Sequence, residues 1–168
     1  MGDGASHAYL VALGSNQRHV RGGRPARIID RAVEALCQRG LAVEAVSAVV
    51  TSAPVGPSQR RYANAAALIR TGLAPLDLLA ELQSIETDFG RRRRGQRWRS
   101  RTLDLDIVLW SGGIFDTPDF SIPHPAFRGR VFVLGPLLET GRNWRDPVTG
   151  LAVRHLHARL VKPRPLRL

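Results

Sequence analysis

Lysine is nearly missing from this chain: Lys162 stands alone among 25 basic side chains, and the rest are arginine. Arginine presents a planar fork of donors that matches phosphate oxygens, whereas lysine offers a point charge. A chain-wide preference for arginine accounts for the excess equally well, so the placement of the arginines tells more than their number. Acidic residues are also scarce, 14 in all, which leaves a formal charge of +11 and a pI near 11.5. Such a balance points to an anionic partner, whether nucleic acid, a phosphorylated small molecule or an acidic membrane surface. The single cysteine, Cys37, excludes an internal disulfide and fits a reducing compartment. Its helical spacing from Val33 and Leu36 reads as a small core residue. No apolar run reaches the roughly 20 residues of a membrane span, the first run stops at Gly14, and Asp3 stands where a targeting segment would be basic. A soluble, cytoplasmic protein without a membrane partner is expected.

What remains is 168 residues with 43% apolar content and no internal repeat, which fits a single domain over 1–168 with one core and one concave site. Residues Ala8 to Leu13 form an unbroken apolar run that reads as a strand buried on both faces, stopped by Gly14-Ser15-Asn16. From Pro25, the positions Ile28, Ile29, Ala32, Val33, Leu36 and Cys37 recur at helical spacing until Gly40. Leu41 to Thr51 reads as one strand, and Tyr62 to Thr71 as another after a loop from Pro54 to Gln59. Leu76, Leu79, Leu82, Ile85 and Phe89 mark a second amphipathic helix, opened by Pro75 and ended by Gly90. Leu103, Leu105, Ile107 and Leu109 alternate as a further strand. The order is strand, helix, strand, strand, helix, strand, then a proline-containing segment and a helical C-terminal region. The expected fold is therefore α+β, a ferredoxin-like βαββαβ core with an antiparallel sheet flanked by helices, plus a C-terminal extension.

In Arg101-Thr102-Leu103-Asp104-Leu105-Asp106, a strand sends the leucines to the core and both carboxylates to the other face. Two residues along a strand separate the acids by roughly 6.5 Å between Cα atoms. They can then share one hard cation or bridge two, and magnesium, which prefers oxygen ligands and keeps waters and phosphates in its remaining positions, suits them. A bare D-x-D is equally an exposed face paired to arginines. The segment from Arg91 to Arg101 adds weight, because seven of its eleven residues are arginine and it holds Trp98 and Gly95. A polyphosphate bridged to the acids by metal gives those arginines something to close upon, and each close pair gains roughly 4 kcal/mol at an effective dielectric of about 20 before desolvation and ordering. Gln83 and Glu86 share one helix face, either as polar ligand contacts or as a solvent face. Pro123-His124-Pro125 fixes where an imidazole points, for a phosphate or as a structural turn.

Taken in order, these blocks resemble the 6-hydroxymethyl-7,8-dihydropterin pyrophosphokinase family. The likeness spans about residues 8 to 150. It rests on Ala12-Leu13-Gly14-Ser15-Asn16, Pro54-Val55-Gly56 followed by Tyr62-Ala63-Asn64, Gln83-Ser84-Ile85-Glu86, Gly90-Arg91 through Arg97-Trp98, Arg101 to Asp106, and Ile122-Pro123-His124-Pro125. The resemblance implies transfer of diphosphate from ATP to the hydroxymethyl group of a dihydropterin, with release of AMP. By the same resemblance, Asp104 and Asp106 ligate two Mg2+ ions. Arg91, Arg93, Trp98 and Arg101 form the catalytic set on a closing loop, and Gln83, Glu86, Arg97, Ile107, Ser121, His124 and Arg130 bind ATP. Ser52, Ala53, Val55, Tyr62, Asn64 and Phe132 form the pterin pocket, with the ring between Tyr62 and Phe132 and Asn64 reading its edge. The chain departs from the family pattern after Asn16, where Gln17 to Gly23 is basic and glycine-rich, and in Arg99-Ser100 after the tryptophan.

Two other readings stand beside this one. A nucleic-acid-binding module fits the charge and the sheet order, but such a sheet needs exposed aromatics for stacking, and Asp104 and Asp106 would repel a phosphate backbone. Nucleic acid is therefore not the expected partner. A paralogue that keeps the ATP site with altered or lost pterin activity fits the changed first loop, while the presence of Tyr62, Asn64 and Phe132 speaks for the intact activity; a monomer is expected.

Overall fold

The apolar run after His7 forms β1 (His7–Ser15), buried along nearly its whole length because it lies at the centre of a sheet. The computed structural model describes residues 6–16, 24–52, 62–90 and 102–163. Within them, α1 (Pro25–Gln38) begins at the proline and stops before Gly40, whose φ of +78° closes the turn. Next come β2 (Ala42–Val46), β3 (Val50–Ser52) and β4 (Tyr62–Thr71), then α2 (Pro75–Asp88), ended by Gly90 with φ +87°. Strand β5 (Asp104–Trp110) is followed by a hairpin of β6 (Phe115–Thr117) and β7 (Phe120–Ile122). A 3-10 turn (Phe127–Gly129) leads to α3 (Val131–Gly141) and α4 (Val153–Val161).

The main sheet runs β2-β4-β1-β5, with β3 also paired to β4, and every pairing is antiparallel. Placing β4 between β1 and β2 is the split βαβ arrangement expected from the sequence. Each face of the sheet has its own apolar layer. Tyr9, Val11 and Leu13 pack with α1 and α2 on one side, while Leu10, Ala66 and Val108 pack with α3 and α4 on the other.

Four expectations change. Leu41 to Thr51 is two strands, because Ser47 interrupts the ladder: its hydroxyl accepts the Ala66 N–H at 2.9 Å and donates to the Ala48 carbonyl. Leu109 does not share a face with Leu105 and Ile107. Val11 pairs with Ile107 and Leu10 with Leu109, so Val108 is an extra residue that turns Leu109 to the α3 side. Cys37 is exposed, since the buried stripe of α1 is Ile28, Ile29, Ala32 and Leu36, and the next residue falls outside it. In α2 the buried stripe is Leu78, Leu82, Ile85 and Glu86, with Leu76 half exposed. Apolar periodicity does not reveal a stripe that contains an acid.

Candidate active site

The cross-strand register lays the site out. Asn64 on β4 pairs with Gly14 on β1, and Gly14 pairs with Asp104 on β5, so the three form one row across the sheet. One step along, Ala66, Ala12 and Asp106 form a second row. Residues opposite one another in a ladder share a face, and this face is the one covered further along by α3 and α4. At one end of the floor Asn64 stands six per cent exposed; at the other stand two carboxylates. Gly14 between them has no positive φ that demands glycine. A Cβ there would lie 3.5 Å from Asn64 Oδ1, so the position could hold a side chain and instead leaves the floor open. Tyr62 is two residues from Asn64 on the same strand and pairs with Ser52 of β3. Phe132, in the first turn of α3, packs on the apolar layer of this face, with the Arg130 guanidinium 5.9 Å from its ring centre.

Strand β5 ends the sheet, and a cleft of about 410 Å³ runs along it. Asp106, Ile107, Ser121 and His124 line it together, joined by Leu79 from α2 and by Asp116, Asp119 and Phe120 from the β6–β7 hairpin. The hairpin carried no distinct sequence signal, since its strands are three residues each; the Thr117–Phe120 turn, closed by two hydrogen bonds at Thr117 Oγ1, was the available clue. Gln83 and Glu86 do not line this cleft. Gln83 is half-buried, and Glu86 is two per cent exposed with Oε1 accepting the Leu105 N–H at 2.8 Å.

His124 is fixed by its backbone: its N–H donates to the Val108 carbonyl at 3.0 Å, tying the loop to β5. The Ala126 N–H donates to Nδ1 at 3.2 Å. A nitrogen that accepts carries no proton, so the neutral ring bears its proton on Nε2. That Nε2 points toward Asp106 Oδ2, 4.0 Å away. Burial pushes the His124 pKa below its ordinary 6.5, against the upward pull of Asp106 and with a further downward push from Arg130. The site thus holds, at neutral pH, a neutral imidazole donor beside Asp106, with the Arg130 guanidinium near enough to act on the ring.

Among the described residues, no group of three or more His, Cys, Asp or Glu side chains converges on one point. Asp104 and Asp106 place two carboxylates on one face of the sheet, and the Asp106 side chain is 48% exposed. That donor set fits a cation that keeps several positions for water and phosphate, as Mg2+ does, and does not fit an all-protein cage. The structure brings together Tyr62, Asn64, Asp104 and Asp106 on one face, and Asp106, Ile107, Ser121 and His124 in one cleft. Ala53, Val55, Arg91, Arg93, Arg97, Trp98 and Arg101 lie outside the described residues, as does the divergent segment 17–23. Sequence reasoning gave no role to Asn16, two per cent exposed, whose side-chain oxygen and nitrogen have no hydrogen-bond partner among the described residues.

Several known proteins are similar to this chain in sequence or in fold. A 2-amino-4-hydroxy-6-hydroxymethyldihydropteridine pyrophosphokinase of Pseudomonas aeruginosa is 44% identical over 138 residues, covering 82% of each chain. The protein of the same name from Haemophilus influenzae is 37% identical over 161 residues, covering 92% of this chain and 97% of its own. In fold, the wild-type HPPK-DHPS of Plasmodium falciparum superposes with a TM-score of 0.73 at 13% identity, covering 96% of this chain. This chain spans 46% of that structure's length, and the likeness is one of fold. The family model for 7,8-dihydro-6-hydroxymethylpterin-pyrophosphokinase matches residues 10–142, and with relatives this similar over most of their length the chain belongs to that family.

Proposed function

We propose that this chain transfers diphosphate from ATP to the hydroxymethyl oxygen of 6-hydroxymethyl-7,8-dihydropterin, forming the pterin diphosphate and AMP, with Mg2+ held by Asp104 and Asp106. The observation that carries this reading is the Asn64–Gly14–Asp104 row. Two strand spacings put Asn64 and Asp104 roughly 10 Å apart. A bicyclic ring read by the Asn64 amide therefore extends its hydroxymethyl arm across the glycine to the carboxylates. Tyr62 and Phe132 border the same floor and offer aromatic faces to a flat heterocycle.

ATP takes the cleft along β5, with Ile107 and Ser121 beside the nucleoside and His124 and Arg130 toward its phosphates. Neutral His124 donates from Nε2, a bond that strengthens as charge builds on a phosphate oxygen, and Arg130 adds a fixed positive charge. Attack of a primary alcohol on the β-phosphorus needs in-line placement and charge neutralisation more than a strong base. Two Mg2+ ions, when bound, supply that neutralisation and lower the charge between ATP and the acids. By the family likeness, Arg91, Arg93, Arg97, Trp98 and Arg101 would exclude water from the transferring group and neutralise its charge. We take residues 1–168 as one catalytic domain that acts as a monomer. No helix among the described residues is long and apolar enough to cross a membrane, in keeping with a cytoplasmic enzyme. Incubation with ATP, Mg2+ and 6-hydroxymethyl-7,8-dihydropterin should release AMP. Release no faster than in a control without pterin overturns the proposal.

A further inference from the structure

Glu86 occupies an unusual place for an acid: it is two per cent exposed, in the buried stripe of α2 beside Leu82 and Ile85. Burying a carboxylate costs several kcal/mol unless strong donors meet it. One donor is the Leu105 N–H, 2.8 Å from Oε1. Leu105 is the residue between Asp104 and Asp106, on the strand that ends the sheet. Its N–H points away from β1, where no strand follows among the described residues, so a side chain from α2 stands in for a ladder partner. The Glu86 oxygen satisfies a buried backbone donor that would otherwise be costly to leave unpaired. The bond is made at the peptide whose orientation decides whether the flanking carboxylates face one point.

We infer that Glu86 is a positioning residue for the acid pair: it holds the Leu105 peptide so that Asp104 and Asp106 present their carboxylates to the same cation, acting through the strand and not on the nucleotide. This rests on the metal-holding role of the two aspartates proposed above. The geometry has a simple logic. An edge strand frays where its outward N–H groups lack partners, and a rotation about Leu105 would carry the two acids apart, because alternation holds only while the backbone stays extended. Helix α2 is anchored below by Leu78, Leu82 and Ile85, all at most one per cent exposed, so Glu86 reaches β5 from a rigid support. Partners that orient a metal's direct ligands typically change metal affinity by about 10- to 100-fold when removed.

The test compares Glu86→Ala and Glu86→Gln with the wild-type chain, without and with cation. Hydrogen exchange at the Leu105 amide should accelerate at least about tenfold in Glu86→Ala while the Tyr9 and Val11 amides of β1 keep their protection. Mn2+ binding, followed by broadening of the Asp104 and Asp106 amide signals, should weaken by about tenfold or more, and Glu86→Gln, which keeps an acceptor oxygen, should recover most of both losses. Affinity for ATP measured in EDTA should not change. Unaltered Mn2+ affinity despite a loosened Leu105 amide overturns the inference, and so does weaker ATP binding in EDTA, which would mean direct nucleotide contact. Faster exchange across the whole sheet with unaltered Mn2+ affinity overturns it in favour of a general role in stability. None of these readouts needs turnover, so a wild-type chain that releases no AMP would sink the proposed activity and still leave this inference to be judged.

Discussion

Asp146→Asn should destabilise the protein by about 2–4 kcal/mol at pH 7, and the loss should vanish in acid. The Asp146 side chain is fully buried and takes four hydrogen bonds: Arg128 Nε and Nη2 at 2.7 Å each, Thr149 Oγ1 at 2.6 Å and the Val148 N–H at 3.1 Å. Asparagine keeps the shape but removes the charge and turns one acceptor into a donor, which then faces donors. Breaking a buried ion pair costs about 3–5 kcal/mol. The Arg128 side chain is 30% exposed, so water meets part of the orphaned charge and lowers the expected loss to about 2–4 kcal/mol. Burial raises the Asp146 pKa, but the bonds from Arg128, Thr149 and Val148 outweigh it and hold the carboxyl below its ordinary 3.8. A folded pKa below the unfolded one means stability that is present above pH 3.8 and lost as pH falls through the folded value. Urea titrations at pH 7 and near pH 3 measure the gap between variant and wild type at both ends. A gap under about 0.5 kcal/mol at pH 7, or one that persists undiminished in acid, refutes the reasoning. Arg128 sits in the 3-10 turn that carries the chain from His124 to Arg130, so the variant should also raise the KM for ATP.

Other outcomes follow from the same geometry. Gly14→Ala should fold with unchanged stability, since its methyl meets Asn64 only at contact distance, yet raise the pterin KM about tenfold because it intrudes on the floor of the site; an unchanged KM removes Gly14 from that floor. In metal-free protein, Asp106→Asn should lower the His124 pKa further below 6.5, because it deletes the carboxylate that raises it; an NMR titration showing a rise would contradict the placement of Nε2 toward Asp106. Asp104→Ala and Asp106→Ala should abolish AMP release with the circular dichroism spectrum intact, and near-normal turnover in either would sink the metal assignment. Gly112→Ala places a Cβ inside the Trp110 indole and should cost about 1–3 kcal/mol; a variant as stable as wild type would show that the ring moves freely.

Local rules made much of the fold legible. Pro25 and Pro75 open helices, Gly40 and Gly90 close them with positive φ, and the alternation of Leu103 to Ile107 gives a strand with both aspartates on one side. Each of these signals is carried by neighbours within a few residues. Where a local rule needs an exception, the sequence misleads: the Ser47 hydroxyl takes the Ala66 N–H in place of a strand carbonyl, Val108 adds a residue to one strand, and Glu86 puts an acid in an apolar stripe. In each case a partner distant in sequence makes the exception favourable, and periodicity contains no term for it.

By itself, then, the sequence determined the helices α1 and α2, the strands β1, β4 and β5 and their order, the pairing of acids with an arginine run, and the family to which those blocks belong. It did not determine what faces what. That Asn64, Gly14 and Asp104 form one row, that His124 holds its proton on the nitrogen nearest Asp106, and that a buried carboxylate grips the strand between the two acids were decided only by tertiary structure. The physical reason is that register and burial minimise the free energy of the whole sheet and its two apolar layers at once, so that contacts between residues far apart in the chain are fixed by packing that no single segment encodes.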